Sequence, residues 1–124
     1  MKVVIAGSRD IIDYDVVCQA IKESGFDISL VISGGARGTD RLGERWAREN
    51  KIPCEVMTAD WDRWGKSAGL RRNKEMAETG DALIAVWDGK SRGTEHMINM
   101  AKLMKLQVYV KKVSVTDDRG RQTL

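Results

Sequence analysis

The chain is poor in proline and cysteine and has no long hydrophobic run. Among 124 residues it contains one proline and two cysteines, Cys18 and Cys54, which do not form a CxxC pair. The first cysteine falls in a helix pattern and the second in a strand pattern, so we expect both as reduced core residues of a cytoplasmic protein. No stretch is long enough to cross a membrane as a helix, so we expect no membrane partner.

The excess of positive over negative charge is also small, because the net charge is only +3 and no run of five Lys or Arg residues occurs. Such a mild excess suits a small anionic ligand better than a nucleic-acid backbone. His96 is the only histidine and has no metal-ligand spacing around it, so we expect no zinc site and assign no residue as a direct metal ligand; we place His96 on the surface or facing a partner. The first residues begin a strand at once and lack the long apolar segment of a signal peptide.

Glycine, by contrast, is plentiful and follows predicted strands. Residues 30–32 are apolar, glycines follow shortly after them, and a helix pattern begins near Thr39. At a helix N-terminus, unpaired backbone N–H groups and the helix dipole attract anions, and glycine lets the backbone approach a ligand closely. We therefore predict a phosphate cradle, with a tight turn that holds no ligand as the alternative. The cradle residues are Ser33, Gly34, Gly35, Ala36, Arg37 and Gly38.

Strand and helix patterns alternate five times along the chain. Strands are predicted at residues 2–6, 28–32, 54–57, 82–87 and 107–110. Helices are predicted at residues 13–24, 39–50 and 68–79 and around residues 97–104, with an irregular loop or lid over residues 58–69. This alternation predicts an α/β, Rossmann-like three-layer sandwich with a five-stranded, mainly parallel sheet of order 3-2-1-4-5. We expect one domain over residues 1–115 and a polar tail over residues 116–124 that frays.

The predicted strand order places a topological switch point between the first and fourth strands, where ligands of such sheets bind. The loops that meet there are residues 7–10, 33–40 and 88–94, the stretches richest in glycine and arginine. Within the third loop, Gly93 and Thr94 form a second predicted anion site, with ordinary helix capping by Ser91 as the alternative. The first and third loops add these residues to the predicted site: Gly7, Ser8, Arg9, Asp88, Gly89, Ser91, Gly93 and Thr94.

Charged and aromatic side chains near these loops also have predicted roles. Four arginines can offer planar, bidentate contacts to a phosphate, although each could instead be a solvated charge: Arg9, Arg37, Arg72 and Arg92. We expect Asp40, Asp60 and Asp88 to accept hydrogen bonds from ribose hydroxyls or to hold Mg²⁺ through water. For Asp40, complementing the dipole of the first helical turn is the alternative. Trp61, Trp64 and Trp87 could stack on a base, but we expect core or interface packing.

Several motifs together carry a family likeness. They are Gly7-Ser8-Arg9, the stretch from Ser33 to Asp40, Asp60-Trp61, Gly65-Lys66-x-Ala68-Gly69, Arg72-Asn73, and Trp87-Asp88-Gly89-x-Ser91-x-Gly93-Thr94. Over roughly residues 1–111 the chain resembles the SLOG superfamily, and more narrowly the small YspA-like proteins of bacteria and their phages. The resemblance implies a Rossmann-like fold that binds nucleotides or nucleotide-derived ligands, and it implies a homo-oligomer. It also brings Asp60 and Asn73 into the predicted ligand site.

The superfamily includes nucleoside-monophosphate phosphoribohydrolases, so the resemblance also implies hydrolysis of a nucleoside monophosphate as an alternative activity. In those enzymes the arginine of an Arg-x-x-x-Met helix contacts the scissile region, and Arg72 and Met76 match that pattern. Their Pro-Gly-Gly-x-Gly-Thr-x-x-Glu turn is only half present, because Met97 stands in place of the catalytic glutamate. Glu95 is acidic but lies two residues earlier, about 200° away around a helix.

Three functions fit these residues. The leading one is a sensor or sequestering module that binds a nucleotide-derived ligand through phosphate and ribose. An alternative is an N-glycosidase acting on a nucleoside 5′-monophosphate, in which Arg72 steadies the transition state and Glu95 or Asp88 replaces the missing glutamate. The third is DprA-type binding of single-stranded DNA, which the sequence supports least because the basic patch is small. That patch comprises Lys66, Arg71, Arg72 and Lys74.

Overall fold

The structure is a computed structural model that describes residues 1–116 and 122–123. Its main sheet consists of β1 (Lys2–Gly7), β2 (Leu30–Ser33), β3 (Cys54–Val56), β4 (Ala82–Trp87) and β5 (Gln107–Lys112). The strands are parallel and lie in the order β3-β2-β1-β4-β5, so the predicted α/β, Rossmann-like fold and its strand order are confirmed.

A short antiparallel pair, β6 (Val115–Thr116) and β7 (Gln122–Thr123), follows the main sheet. The remainder of the predicted polar tail, residues 117–121 and 124, lies outside the described residues. The expected fraying of the tail therefore stays a prediction.

Helices connect the parallel strands. They are α1 (Tyr14–Ser24), α2 (Thr39–Glu49), α3 (Trp61–Trp64), α4 (Ala68–Thr79) and α5 (Arg92–Leu103), with a 3₁₀ turn (Gly65–Ser67) between α3 and α4. Asp13 begins α1 by accepting a hydrogen bond from the Asp15 N–H, and Gly25 ends it in the left-handed conformation. The segment predicted as an irregular loop thus contains a short helix, which begins after Asp60.

Two hydrophobic clusters lie on opposite faces of the sheet. On one face, Val3, Ile5 and Ile84 pack under α1 and α2; on the other, Val4 and Leu83 pack under α4 and α5. Because helices cover both faces, the central strands β1 and β4 are buried almost throughout, which explains their uninterrupted apolar runs.

The edge of the sheet at β3 differs from the expectation. All three residues of β3 are exposed, and Cys54 lies among them, while Cys18 is only half-buried. The prediction that both cysteines are core residues is therefore wrong. The cause is position, because a three-residue strand that ends the sheet has a neighbour on one side only. Within the described residues, none of the helices is long and apolar enough to cross a membrane.

Candidate functional site

A cleft lies at the carboxyl ends of β1, β2 and β4, where the strand order reverses. It has two adjoining chambers of about 230 and 480 Å³, which share Arg9, Ala36, Trp61 and Arg72. The first chamber is further lined by Ala6, Gly7, Asp40, Lys66, Gly69, Leu70, Asn73, Met76, Ser91, Gly93, Thr94 and Met97. The second chamber is further lined by Gly34, Gly35, Arg37, Thr58 and Ala59.

The structure brings many of the predicted ligand-binding residues together in this cleft. They come from four separate parts of the chain, which meet because parallel strands end at one edge of the sheet. The predicted residues that line the cleft are Gly7, Arg9, Gly34, Gly35, Ala36, Arg37, Asp40, Arg72, Asn73, Ser91, Gly93 and Thr94.

The turn after β2 is tight, as both the predicted phosphate cradle and its alternative, a turn without a ligand, require. Gly35, between β2 and α2, has a φ of 73°, a backbone conformation that favours glycine. Its N–H donates to the Ser33 hydroxyl at 3.1 Å, and the Ala36 N–H donates to a carboxylate oxygen of Asp40 at 3.2 Å. The Ala36 N–H, which the sequence analysis assigned to a phosphate, is thus engaged by a carboxylate of the chain itself.

Asp40 and Arg72 converge on this turn. The Arg72 guanidinium donates to the Gly34 carbonyl at 2.6 Å, and a Cβ on Gly34 would lie 2.8 Å from an Asp40 carboxylate oxygen. Burial raises the pKa of Asp40 to about 6, although the Ala36 N–H and the Arg72 charge act to lower it. Burial also lowers the pKa of Arg72. A buried carboxyl with a shifted pKa beside a guanidinium is typical of functional clefts.

The shifted pKa of Asp40 predicts a pH-dependent stability. Because this pKa rises from its ordinary 3.8 to about 6, the folded chain binds more protons than the unfolded chain between these values. Protonation of Asp40 therefore stabilises the folded chain by about 3 kcal/mol. This stabilisation is fully present below about pH 4 and is lost as the pH rises through 6. We expect the free energy of unfolding of the wild type to fall by about this amount relative to Asp40→Asn between pH 4 and 7. A difference that does not change with pH would contradict this assignment.

Arg9 stands beside Arg72 where the two chambers meet. Both side chains line both chambers, and burial lowers the pKa of Arg72 against the opposing charge of Asp40, with the positive charge of Arg9 adding to the decrease. Within the described part of the chain, no hydrogen bond or ion pair engages the Arg9 side chain. Arg37, at the rim, is exposed and lies 3.6 Å from the Asp10 carboxylate. The cleft therefore concentrates positive charge between Arg9 and Arg72.

Asn73 positions the neighbouring elements from beneath the first chamber. Its side-chain oxygen accepts from the Arg72 Nε at 3.2 Å, and its amide nitrogen donates to the Gly93 carbonyl at 3.3 Å. The same nitrogen lies 3.1 Å from Nδ1 of His96, which is half-buried rather than simply on the surface. These contacts couple α4 to the first turn of α5, where the Ser91 hydroxyl caps the helix by accepting from the Thr94 N–H.

Other predicted site residues connect the loops rather than line the cleft. The Ser8 hydroxyl accepts from the Asp88 N–H at 3.0 Å, and the Ser8 carbonyl accepts from the Thr39 hydroxyl at 3.2 Å. The Asp88 carboxylate accepts from the N–H groups of Lys90 and Ser91, both at 2.8 Å. Burial acts to raise the pKa of Asp88, but these N–H groups outweigh it and the pKa is lowered.

The remaining predicted residues are similarly occupied. Ser33 donates to Glu44 at 2.6 Å, and Asp60 begins α3 by accepting from the Arg63 N–H. Gly38 begins α2 with a φ of 77°, and Gly89 packs against Lys112. Glu95 is exposed on α5 and lines neither chamber. Among the described residues, no group of three or more His, Cys, Asp or Glu side chains is arranged to hold a metal ion.

The structure also places residues in the cleft that the sequence analysis did not assign to it. Trp61 and Trp64 expose 53% and 39% of their surface, so neither packs in the core, and the expected interface packing of these two stays a prediction. Trp61 lines both chambers, and its motif with Asp60 was the available signal. The other unassigned lining residues are Ala6, Thr58, Ala59, Lys66, Gly69, Leu70, Met76 and Met97.

Two comparisons with known proteins bear on this site. The model of the YspA, cpYpsA-related SLOG family matches residues 1–64, which include the Gly7 loop, the Gly34 turn and Trp61. The chain is also similar to the Gene 61 protein of Mycobacterium phage D29, with 36% identity over 111 residues. That alignment covers 82% of this chain and 88% of the phage protein.

Proposed function

Because the chain belongs to the YspA, cpYpsA-related SLOG family, we propose that its cleft binds a nucleotide or a nucleotide-derived ligand. Family membership also confirms the resemblance drawn from the motifs. The observation that carries the proposal is the pair of guanidinium groups, Arg9 and Arg72, where the two chambers meet. The ligand phosphate lies between them, and the protein acts as a sensor or a sequestering module.

Two neighbouring arginines favour an anion over a neutral ligand. The positive charges of the two guanidinium groups repel one another. A phosphate relieves this repulsion and accepts bidentate hydrogen bonds from both guanidinium groups. Arg72 is already oriented by Gly34 and Asn73, so little of its side-chain freedom is lost on binding. Arg9 is exposed and is free to close over the ligand.

Polar groups of the first chamber suit the ribose. Thr94 and Ser91 place hydroxyl groups at the start of α5, and Asp40 at the start of α2 lines the same chamber. Ribose hydroxyls can donate to the carboxylate and exchange hydrogen bonds with the two hydroxyls. Phosphate and ribose together therefore account for the polar lining better than phosphate alone.

The Arg9→Ala variant tests the phosphate contact. We expect it to weaken binding of adenosine 5′-monophosphate about tenfold, because a charge-assisted hydrogen bond to phosphate is lost. The dissociation constant is measured by isothermal titration calorimetry at fixed ionic strength. Arg48→Ala on α2 removes the same charge outside the cleft and should leave this constant unchanged.

Four probes distinguish what the site accepts. We expect adenosine 5′-monophosphate and ribose 5-phosphate to bind, inorganic phosphate to bind more weakly, and adenosine not to bind. Equal binding of adenosine, or no loss in Arg9→Ala, would contradict the phosphate contact. Release of free adenine during the titration, abolished in Arg72→Ala, would instead support the N-glycosidase alternative. Self-association stays a prediction that sedimentation of the same samples measures.

A further inference from the structure

We propose that Trp61 stacks on the base of the bound nucleotide and makes the cleft selective for ligands that carry an aromatic base. This inference rests on the proposed function, because it concerns the same site. It adds the part of the ligand that distinguishes a nucleotide from a sugar phosphate. Trp61 carries this role because, among the residues that the structure describes, it is the one aromatic side chain that lines both chambers of the cleft.

The exposure of Trp61 is unusual for a side chain of its size. About half of its surface, 53%, is in contact with solvent, although large apolar side chains gain free energy when they are buried. It stands at the first position of α3, a helix of four residues that begins at the Asp60 carboxylate. Trp61 shares the lining of both chambers with Arg9 and Arg72, the two residues that the proposed function assigns to the phosphate.

The contact between Trp61 and α4 orients the indole ring without burying it. A Cβ on Gly69 would lie 3.3 Å from Cη2 of Trp61 and 4.0 Å from Cζ2, so the ring rests on the helix by its edge. Leu70, the next residue, is 50% exposed and lines the same chamber. An edge contact at a glycine leaves the ring face available, and an exposed aromatic face is what a base stacks on.

The neighbouring tryptophan differs in a way that supports the assignment. The guanidinium carbons of Arg71 and Arg63 lie 3.6 and 4.6 Å from the centre of the Trp64 ring, so these two side chains already make cation–π contacts with that ring. Trp64 also lines neither chamber. It is therefore a matched control, being an exposed tryptophan on the same short helix, three residues away.

Four variants and two probes test the proposal. We expect Trp61→Ala to weaken binding of adenosine 5′-monophosphate by about 10- to 100-fold and to leave binding of ribose 5-phosphate unchanged. Trp61→Phe should retain most of the affinity, because phenylalanine also has a ring face. Trp64→Ala should change neither constant. Gly69→Ala should weaken only the binding of adenosine 5′-monophosphate, by a few fold, because its Cβ displaces the indole edge.

The outcomes separate this inference from the proposed function. If the wild type binds neither probe, both the proposed function and the stacking role are contradicted. If the wild type binds both probes and Trp61→Ala weakens the binding of both equally, or of neither, only the stacking role is contradicted. Circular dichroism of each variant checks that the fold is intact. Tighter binding of a single-stranded oligothymidylate, reduced equally in Trp61→Ala and Trp64→Ala, would overturn the stacking role in favour of a nucleic-acid surface.

Discussion

Gly7→Ala is expected to lower the free energy of unfolding by about 3 kcal/mol or more, or to prevent folding. An alanine Cβ would lie 2.1 Å from the Val86 carbonyl oxygen and 2.6 Å from the Thr39 hydroxyl oxygen. The first belongs to the backbone of a central strand and the second to a fully buried side chain, so neither can move aside cheaply. Urea denaturation followed by circular dichroism measures the loss.

Gly93→Ala is the control for this substitution. Among the described residues, nothing lies within 4 Å of the Cβ that it adds, and Gly93 is in the first turn of α5. We expect its stability to stay equal to that of the wild type or to rise by up to about 1 kcal/mol, since alanine favours helix. If Gly7→Ala were as stable as Gly93→Ala, the close approach of β1, β4 and α2 at the switch point would be wrong.

Arg72→Met is expected to weaken binding of adenosine 5′-monophosphate by about 100-fold, or about 2.7 kcal/mol. Methionine keeps an unbranched apolar stem but removes every donor, including the one that Gly34 holds at 2.6 Å. It also removes the positive charge that acts on Asp40, so a modest loss of stability accompanies the loss of affinity. Calorimetric titration and urea denaturation of the same samples measure the two effects separately.

Arg71→Met provides the comparison, because it removes the same group one residue away. Arg71 is exposed and contacts Ser67 and the ring of Trp64 outside the cleft. We expect it to bind adenosine 5′-monophosphate as the wild type does. Arg72→Lys should recover only part of the affinity, because an ammonium cannot replace the planar fork of donors. Equal affinities for Arg72→Met and Arg71→Met would remove Arg72 from the ligand site.

The topology and the location of the cleft could be predicted because they depend on local patterns. Strands buried on both faces read as continuous apolar runs, and their alternation with helices leaves few arrangements of a parallel sheet. That arrangement brings the carboxyl ends of the strands together, so the sequence pattern alone places the Gly7 and Gly34 loops in one site. Part of each loop then lines the cleft, including Gly7 and Arg9 of the first and Gly34 and Gly35 of the second.

The hydrogen-bond partners within the site could not be predicted, because they depend on contacts between distant parts of the chain. The Asp88 N–H meets the Ser8 hydroxyl across 80 positions of sequence, and Arg72 meets Gly34 across 38. Asp40 presents a carboxylate to the Ala36 N–H, where the sequence pattern indicates a phosphate. For Trp61 the sequence favoured packing over stacking on a base, because its edge contact with Gly69, eight residues later, is likewise a contact of the folded chain.

A nuclear magnetic resonance titration of ¹⁵N-labelled protein with adenosine 5′-monophosphate tests the central claim most directly. We predict saturable shifts at the backbone N–H groups of Gly34, Gly35 and Gly93 and at the indole N–H of Trp61, with Gly25 at the far end of α1 unchanged. Shifts confined to the separate cavity beside Ile12 and Val113, or none at millimolar concentration, would contradict a nucleotide site at the switch point.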